Sequence, residues 1–371
     1  MKILFIGDAS NYHNTLAHAL TDMGHTCVVA SDGSGWQKTD RDIDTTRQSG
    51  AWGTLKFSIK LLHTLSQMRE FDVVHIINPH FLLLRPNKLT KVLDYLKRNN
   101  KLIIYSASCT DYDYLLTCHD GESFRYSDFM IGNTPSPYVQ SSEWERHNHW
   151  NRQDVVDYHN YFINNVDGAI ACLYEYYVTY KNRIPSKIGY AGIPIDTQAL
   201  TPRFIDNTPD KVRFFIGIQQ HKNLLKGTDR LLDALIRIHE RYPESCEIIT
   251  AENVPFKEYV QMMNSSHVIL DQLYSYTPAT NALIAMAQGL VAVSGAEPEY
   301  YYFIGEKDNH PIINVSPLIE NDIYNKLEWI IQNKHELPRL SRMSREFVEK
   351  HNDSHIVAQR HIDFWNKLSN K

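Results

Sequence analysis

Apolar and polar positions follow two alternating patterns along this chain. Short apolar runs are typical of strands buried on both faces, and segments with apolar residues three or four positions apart predict helices. In the first third of the chain the predicted strands are KILFIG, HTCVVAS, FDVVHIIN and KLIIYSAS, with helical segments between them. This repeated order of strand, helix and strand predicts a parallel sheet covered by helices.

The same alternation resumes after residue 201. Its predicted strands are KVRFFIGIQ, CEIITAE and HVILDQL, again separated by helical segments. The series continues into residues 277–299, where 281–288 predict an apolar helix, Gly289 ends that helix and LVAVSG predicts a buried strand. Two such series predict two α/β domains.

The length of the chain supports this division, because 371 residues exceed what one ordinary core accommodates. We predict an N-terminal domain over residues 1–200 and a C-terminal domain over 201–352, followed by a closing helix over 353–371. The stretch of about 118–161 is polar, aromatic and rich in turns, and we interpret it as an insertion in the first domain. The Pro-containing run 192–202 is the expected linker.

Composition narrows the class of protein. Hydrophobic residues make up 43% of the chain, charged residues 22%, and the formal net charge is -5. This mild acidity argues against a nucleic-acid binder, which usually has a basic face. The five cysteines are scattered and form no CxxC pair, so the sequence predicts neither a disulfide framework nor a zinc knuckle.

The sequence also bears on the location of the protein. The residues before Gly7 are too few for a signal-peptide core, and no run approaches the roughly 20 apolar residues that span a bilayer. Scattered cysteines fit a reducing compartment. We therefore expect a cytoplasmic protein, with peripheral contact at the inner face of a membrane as an alternative.

Polar residues concentrate where the predicted strands end. In an open parallel sheet, ligands bind beyond the carboxyl ends of the strands, where loops lead into helices. The polar stretches at these places are residues 8–14, 78–80, 106–113, 217–227, 252–253, 271–281 and 295–299. Two such rims facing each other would form a cleft.

The segment HKNLLKGTDRLLDAL carries the clearest chemical signal. Lys222 and Lys226 lie between a predicted strand and a helix that starts at GTD. Two ammonium groups beside the free N–H groups of a helix start suit a diphosphate. A solvated basic loop, with Asp229 capping the helix, is the alternative interpretation. The small residues at the helix start 280–282 offer backbone N–H groups to an anion in the same way.

KGTDRLLDAL resembles the phosphate-loop helix of GT-B nucleotide-sugar glycosyltransferases, especially those of family 4 ("group 1"). Further segments resemble motifs of that family in the same order along the chain: NVDGAIACLYEYYVTY, GIPIDTQAL and NALIAMAQGLVAVSGAEPE. The resemblance implies a GT-B fold, with two Rossmann-like domains facing across a cleft and a C-terminal helix that returns to the first domain.

The resemblance also implies a reaction. A hexose-type sugar would pass from a nucleotide diphosphate sugar to a saccharide, lipid-linked or glycoconjugate acceptor, with retention of configuration. The setting would be the biosynthesis of a cell-surface polysaccharide or glycan. No metal cofactor is expected, because lysines and a helix dipole take the place of the metal in this family.

Matching the motifs assigns donor-binding residues. These are Lys226, Lys222, Gly217, Thr280, Asn281, Ala282 and Glu299. The family usually has Glu-x7-Glu here, whereas this sequence has Tyr276 and Ile284. Isoleucine cannot accept a hydrogen bond from a ribose hydroxyl. Either the ribose is held elsewhere, with Glu252, Asp271 and Glu297 as candidates, or the donor site is altered.

In the first domain, Asp111 occupies the place where members of the family often have a histidine or aspartate near the reacting carbon. We predict Asp111 and His80 as catalytic residues that orient the acceptor hydroxyl. Asn11, His13 and Asn14, near the start of the first helix, are predicted to bind the acceptor. A core or capping role is equally open for the histidines. Asp111 and Asp113 also form an Asp-x-Asp pattern, which holds a metal in the other glycosyltransferase fold.

Other functions remain open. Loss of Glu-x7-Glu fits a non-catalytic, glycosyltransferase-like binding subunit, and a sugar-nucleotide epimerase shares the same two-domain fold. A dinucleotide oxidoreductase is disfavoured because no G-x-G-x-x-G follows KILFIG.

Two surface features have alternative interpretations. The segment WGTLKFSIKLLHTLSQMR, with Lys56, Lys60 and Arg69, either rests on a membrane surface or is an ordinary amphipathic helix. The aromatic rings of the insertion either stack on sugar rings or pack on the domain. Those rings are Tyr126, Phe129, Tyr138, Trp144 and Trp150.

Overall fold

The computed structural model describes residues 1–33 and 40–369. Their contacts divide the chain into two compact units. The first unit contains Met1–Leu115, Arg146–Pro194 and the C-terminal segment from Ser354. The second contains Leu116–Glu145 and Ile195–Asp353.

Most strands are short and apolar. In chain order they are β1 (Lys2–Ile6), β2 (Thr26–Ser31), β3 (Ile43–Asp44), β4 (Val73–Ile76), β5 (Leu102–Ala107), β6 (Met130–Ile131), β7 (Thr134–Pro135), β8 (Gly168–Ala171), β9 (Ile188–Tyr190), β10 (Val212–Ile218), β11 (Cys246–Glu252), β12 (Val268–Leu270), β13 (Val291–Ser294) and β14 (Ile313–Asn314).

Helices connect most of these strands. They are α1 (Tyr12–Asp22), α2 (Gly50–Gln67), α3 (Pro86–Asn99), α4 (Tyr112–His119), α5 (Glu145–Asn148), α6 (Gln153–Asn165), α7 (Tyr174–Arg183), α8 (Asn223–Lys226), α9 (Thr228–Arg241), α10 (Phe256–Asn264), α11 (Thr280–Ala287), α12 (Pro298–Ile304), α13 (Asp322–Gln332), α14 (Leu337–His351) and α15 (Ser354–Ser369). Short 3₁₀ turns cover Ser142–Trp144, His149–Asn151, Gln220–Lys222 and Lys334–Glu336.

The first unit is built on a parallel sheet in the order β3-β2-β1-β4-β5-β8-β9. The last four residues of β1 and all of β4 are buried, because helices cover both faces of the sheet. The closing helix α15 packs on α1 of this unit. Trp365 of α15 lies in the core and donates a hydrogen bond to His75 of β4.

The second unit has a parallel sheet in the order β11-β10-β12-β13-β14. Apolar residues of α9 at helical spacing, Leu231, Leu235 and Ile238, pack with the strands in its core. The predicted apolar helix and buried strand are present as α11 and β13. Gly289, at the end of α11, has a φ of 88°, a left-handed conformation that favours glycine. The prediction of parallel α/β sheets is confirmed.

The predicted insertion at about 118–161 is divided between the two units. Residues 116–145 belong to the second unit, whereas 146–161 and α6 belong to the first. The reason is packing: Ile131 lies against the core of the second unit, and the ring of Tyr126 lies 5.0 Å from that of Tyr276. The structure therefore corrects the prediction that this whole stretch belongs to the N-terminal domain.

The aromatic rings of this stretch pack within the protein. Tyr126, Phe129, Tyr138 and Trp150 are buried, and Trp144 is half-buried with its ring against Phe129. Among the two possibilities for these rings, the structure supports packing.

In the part of the chain that the structure describes, no helix is both long and apolar enough to cross a membrane.

Candidate functional site

The carboxyl ends of β10, β12 and β13 lie side by side in the second unit. Parallel pairing sets Ile216 opposite Leu270 and Leu270 opposite Val293. The loops that follow these strands therefore lie together at one edge of the sheet, where ligands bind in folds of this class. Most of the predicted donor residues are in these loops or at the helix starts that follow them.

Lys226 is fixed at this edge by an ion pair. Its Nζ lies 3.2 Å from Oδ1 of the buried Asp271, and its carbonyl accepts a hydrogen bond from the N–H of Leu273. The Lys226 side chain remains 22% exposed. Among the described residues, Oδ2 of Asp271 has no hydrogen-bond partner. Asp271 therefore lies beneath Lys226 and positions the ammonium group.

Gly227 allows this arrangement. It has a φ of 71°, and a Cβ at this position would come within 2.8 Å of Cβ of Leu273. Any larger residue would push α8 away from the loop after β12 and displace Lys226.

Three other predicted donor residues have different surroundings. Lys222 is exposed on the 3₁₀ turn before α8, and Glu252 is exposed at the end of β11. At Gly217, a Cβ would come within 2.6 Å of the ring of Tyr259. The packing of Tyr259 thus explains the glycine at 217, so no ligand contact is needed to account for it.

The predicted residue Glu297 lies in a network of hydrogen bonds. It is buried, and its Oε2 lies 2.7 Å from Nη2 of Arg125. Tyr126 donates to Oε1 at 2.6 Å and Asn314 donates to the same atom at 3.2 Å. Arg125 also pairs with Glu299 at 2.9 Å, and its side chain remains 51% exposed. These contacts neutralise the charge of the buried carboxylate.

Tyr276, which replaces the first family glutamate, lies in the same cluster. Its hydroxyl accepts a hydrogen bond from the N–H of Arg125 at 2.7 Å, and its ring lies 5.5 Å from that of Phe124. Burial raises the pKa of Tyr276. Burial by itself would lower the pKa of Arg125, but the hydrogen bonds to Glu297 and Tyr276 raise it above the ordinary value, so the guanidinium is charged at pH 7.

Arg125 and Tyr126 are functional candidates that the sequence did not indicate. They lie in the polar stretch before β6, and no local pattern ties them to residues about 170 positions later in the chain. The only signal was indirect, because a tyrosine at 276 needs different neighbours from a glutamate.

Helix α11 begins at Thr280, within the helix start 280–282 predicted from the sequence. Ala279 at the N-cap has no polar side chain with which to cap the first turn. Thr280 and Asn281 are half-buried, and Ala282 is buried. The backbone N–H groups of this turn are thus the polar groups that α11 offers at the rim.

In the first unit, His80 is half-buried between aromatic rings. It stacks on Trp150, with ring centroids 4.9 Å apart, and on Tyr158 at 5.7 Å. Burial lowers the pKa of His80 to about 4, so its imidazole is neutral at pH 7. A neutral imidazole can accept a hydrogen bond from a hydroxyl group.

Two of the three predicted acceptor residues are buried. His13 contacts the carbonyl of Gly7 through Nδ1 at 2.5 Å and the hydroxyl of Ser106 through Nε2 at 2.9 Å. Asn14 donates to Oδ2 of Asp8 at 2.7 Å. Burial argues against direct acceptor contact for both residues. Asn11 is half-buried, with a φ of 63°, at the start of α1.

Asp111 also lies inside the first unit. Its Oδ2 accepts hydrogen bonds from Tyr105 and Tyr180, each at 2.5 Å, and its Oδ1 accepts one from the N–H of Tyr114. The side chain has no exposed surface, and burial raises its pKa. These contacts argue against the predicted catalytic role, because the carboxylate has no free face for an acceptor.

The Asp-x-Asp pattern does not form a paired carboxylate site. Asp113 lies 3.0 Å from Nε2 of His159 and 3.5 Å from Arg183, whereas Asp111 accepts from tyrosines. Among residues 1–33 and 40–369, no group of three or more histidine, cysteine, aspartate or glutamate side chains is arranged to hold a metal ion.

No family model matches this sequence, and neither does any curated protein. Several solved structures are similar over the whole chain. Sucrose-phosphate synthase from Thermosynechococcus elongatus has a TM-score of 0.62 at 12% identity, covering 100% of this chain and 99% of that chain. HepE (Alr3699) of Anabaena, in complex with UDP and glucose, has a TM-score of 0.60 at 12% identity, with both chains covered completely.

A glycosyltransferase from Rickettsia africae has a TM-score of 0.56 at 11% identity, covering 100% of this chain and 98% of that chain. At such low identity the similarity establishes architecture alone. Together with the two parallel sheets, their connecting helices and the position of α15, it shows that this chain has the GT-B fold.

Proposed function

We propose that this protein is a glycosyltransferase that moves a hexose-type sugar from a nucleotide diphosphate sugar to a saccharide, lipid-linked or glycoconjugate acceptor. The observation that carries the proposal is Lys226, a partly exposed cation fixed by buried Asp271 at the carboxyl edge of a GT-B sheet. The UDP and glucose bound to HepE support a nucleotide-sugar donor.

In this proposal the donor diphosphate binds between Lys226 and the start of α11. The ammonium group and the backbone N–H groups stabilise the negative charge that develops on the departing nucleotide. Lys222 and Glu299 are the nearby exposed or partly exposed groups proposed to contact the donor. Lysine and helix N–H groups supply this stabilisation in place of a metal ion, and transfer retains the configuration of the sugar.

The acceptor side of the proposal rests on His80 and Asn11, which are partly exposed in the first unit. Neutral His80 accepts a hydrogen bond from the acceptor hydroxyl and orients it. A front-face, retaining course needs no strong protein base, which suits a histidine whose pKa is about 4.

We further propose a cytoplasmic enzyme that contacts a membrane surface through α2. Trp52, Ile59 and Leu62, which are exposed, are spaced so that they share one side of this helix, and Lys56 is exposed beside them. Lys60 is paired with Asp44, which reduces the basic character of the helix.

Co-sedimentation with anionic vesicles tests this contact. The wild type is expected to sediment with the vesicles, and a Trp52→Ala/Leu62→Ala variant is expected to sediment less. Equal sedimentation of both proteins would contradict the contact.

A non-catalytic, glycosyltransferase-like binding subunit is the second candidate. It is favoured by the contacts of Tyr276 and Glu297, since both groups are engaged by residues 124–126 and neither is free to meet a donor.

Thermal unfolding in the presence of nucleotides tests the proposal. UDP, GDP, ADP, CMP and their sugar conjugates are compared, each once in the presence of Mg²⁺ and once in the presence of EDTA. A ligand at a hundredfold its Kd adds about 2.7 kcal/mol to the free energy of unfolding. One nucleoside diphosphate is expected to stabilise the wild type and Lys257→Ala, an exposed lysine of α10, but not Lys226→Ala. Stabilisation of none of these proteins, or of all three equally, would contradict the proposed donor site.

Turnover of the stabilising donor then separates the candidate functions. Slow hydrolysis or transfer of the sugar supports a transferase. Isomerisation of the donor without an acceptor indicates an epimerase, and binding without any turnover indicates a binding protein.

A further inference from the structure

A cavity of about 930 Å³ lies in the second unit, with residues of α12 in one wall. The segment 305–313, Asn314 of β14 and α13 form its other walls. A volume of this size accommodates a ligand of several sugar rings. Among the described residues, those that line the cavity do not include Lys226, Asp271 or the start of α11, although Asn314 in its wall also donates a hydrogen bond to Glu297.

Two helices each contribute one face to this cavity. The contributing residues recur with the spacing i, i+3, i+4 and i+7, which places side chains on one side of a helix. On and just after α12 they are Pro298, Tyr301, Tyr302 and Gly305. On α13 they are Asp322, Asn325, Lys326 and Trp329. The cavity is therefore built from continuous helical faces.

The lining combines exposed aromatic rings with hydrogen-bond donors. Tyr302 is 90% exposed and Trp329 is 41% exposed, although apolar rings of this size normally lie in a core. Beneath them, the buried ring of Tyr301 stacks on His310 with centroids 4.0 Å apart. The amide of Asn325 is exposed at the edge. Aromatic faces stack on the C–H faces of pyranose rings, and amide groups bind their hydroxyls.

The charges of the lining favour an acidic ligand. Glu306 is buried and its charge is neutralised by Lys350 at 2.7 Å, and Nε2 of His351 lies 2.6 Å from the same carboxylate oxygen. Asp322 accepts a hydrogen bond from the N–H of Ser316 at 2.8 Å and lies buried at the start of α13. The exposed charges in the lining are then the ammonium groups of Lys307 and Lys326.

We propose that this cavity binds a saccharide chain that carries carboxylate or phosphate groups. Tyr302 and Trp329 form the stacking surfaces, and Lys307 and Lys326 contact the acidic substituents. A site of this kind would retain a growing acceptor chain between transfers, and this last role alone rests on the proposed transferase function.

Affinity electrophoresis of the full chain tests the proposal. The protein is run in native gels containing alginate or hyaluronan as acidic probes and dextran as a neutral probe. Retardation is expected with an acidic probe, with the apparent Kd raised at least fivefold in Trp329→Ala and in Lys326→Ala. Tyr324→Ala is the matched control, since Tyr324 lies on α13 but outside the cavity, where Arg237 stacks on its ring. Lys257→Ala controls for a general loss of charge.

Three results would overturn the proposal. They are no retardation by either acidic probe, equal retardation by dextran, and retardation that is unchanged in both cavity variants or weakened as much in the two controls. Size-exclusion chromatography adds a fourth: if Trp329→Ala dissociates a dimer, the cavity is an interface between copies of the chain. Nucleotide-induced thermal shifts are measured on the same variants and are expected to match the wild type, so failure of saccharide binding is distinguishable from failure of the donor site.

Discussion

In the first unit, several polar side chains near the carboxyl ends of β1, β4 and β5 are completely buried, whereas in the second unit Lys226 and Arg125, at the equivalent edge, stay partly exposed. His13, His75 and Ser106 have no exposed surface. Lys226 and Arg125 keep 22% and 51% of their side-chain surface. Position at the end of a strand is therefore insufficient to identify a ligand site. The hydrogen-bond and ion-pair partners of each polar group decide whether that group can contact a ligand.

The buried groups of the first unit form a hydrogen-bond chain with one consistent proton arrangement. The indole N–H of Trp365 donates to Nε2 of His75 at 2.8 Å, so neutral His75 carries its proton on Nδ1. Nδ1 of His75 donates to Ser106 at 2.8 Å, and Ser106 in turn donates to Nε2 of His13. Nδ1 of His13 donates to the carbonyl of Gly7. Every group in this chain has a partner only while both histidines are neutral.

In the second unit, the charged groups at the sheet edge are held in ion pairs. Lys226 pairs with Asp271, and Arg125 pairs with Glu297 and Glu299. Because each cation is partly exposed, a ligand anion can approach it without unfolding the surrounding loops. The buried network thus stabilises the first unit, whereas Lys226 and Arg125 remain available to a ligand in the second.

The largest expected effect is the loss of stability of the first unit in acid. The buried His361 of α15 lies beside this network, with its ring 5.4 Å from that of His75. Burial lowers the pKa of His13 and His361 to about 4, and that of His75 well below its ordinary value of 6.5. The unfolded chain therefore binds more protons between pH 6.5 and 4, so stability is complete above about pH 6.5 and falls as the pH drops towards 4. Each group with a pKa near 4 removes roughly 3 kcal/mol over this range.

Urea unfolding at pH 7 and pH 5 measures this effect. His361→Gln is expected to flatten the pH profile by removing one titrating group, whereas His335→Gln, at an exposed position, leaves the profile unchanged. Equal free energies of unfolding of the wild type at the two pH values would contradict the neutral network.

The next largest effect is expected at Lys226, a partly exposed cation of the second unit. Lys226→Ala removes the ammonium group proposed to stabilise the departing diphosphate, which is expected to lower kcat/KM for the donor by on the order of 10²–10³-fold. Steady-state turnover measures the loss, with Lys257→Ala as the control. Because Lys226→Ala leaves the buried carboxylate of Asp271 without its cation, the melting temperature is expected to fall as well. A large fall in Tm with normal turnover would give Lys226 a structural role instead.

Ser106→Ala, unlike Lys226→Ala, is expected to lower stability without weakening nucleotide binding. It leaves Nδ1–H of His75 and Nε2 of His13 without their partner, which lowers the free energy of unfolding by about 2 kcal/mol. Denaturant titration measures this change, and nucleotide binding by the same variant is expected to match the wild type. The exposed Ser142→Ala is the control. Weaker nucleotide binding by Ser106→Ala with unchanged stability would remove the distinction between the two units.

Arg125→Ala is expected to produce the smallest change in the free energy of unfolding. The half-exposed guanidinium forms ion pairs that solvent weakens, so the expected loss is about 1 kcal/mol. Arg125→Lys, which keeps the charge, is expected to recover part of it. Thermal unfolding at low and high salt measures both variants, and the difference between wild type and Arg125→Ala is expected to shrink at high salt. If Arg125→Ala has the same Tm as the wild type at low salt, the ion pairs of Arg125 with Glu297 and Glu299 do not hold residues 116–145 in the second unit.

Much of the fold and part of the candidate site could be predicted from the sequence. The alternation of apolar runs indicated the strands and helices, Gly289 indicated the end of α11, and the lysines beside GTD indicated Lys226, which the structure fixes at the sheet edge. For Lys226 the prediction succeeded because a strand, a loop and a helix start are adjacent in the chain, so local order already implies proximity.

The remaining site assignments depended on contacts that local patterns do not contain. Asp111, His13 and Asn14 are at strand ends or helix starts in the sequence, yet their side chains turn into the first unit and find buried partners. The pairing of Arg125 with Glu297 joins residues 172 positions apart. The sequence likewise gave no reason to place residues 116–145 in the second unit.

By itself, the sequence determined the two series of elements and the class of fold, because apolar periodicity fixes which faces of strands and helices are buried. Only the tertiary structure decided which polar groups are free to meet a ligand. The free energy of burying a polar side chain depends on whether a partner lies within hydrogen-bond distance, and such partners come from elements far apart in the chain.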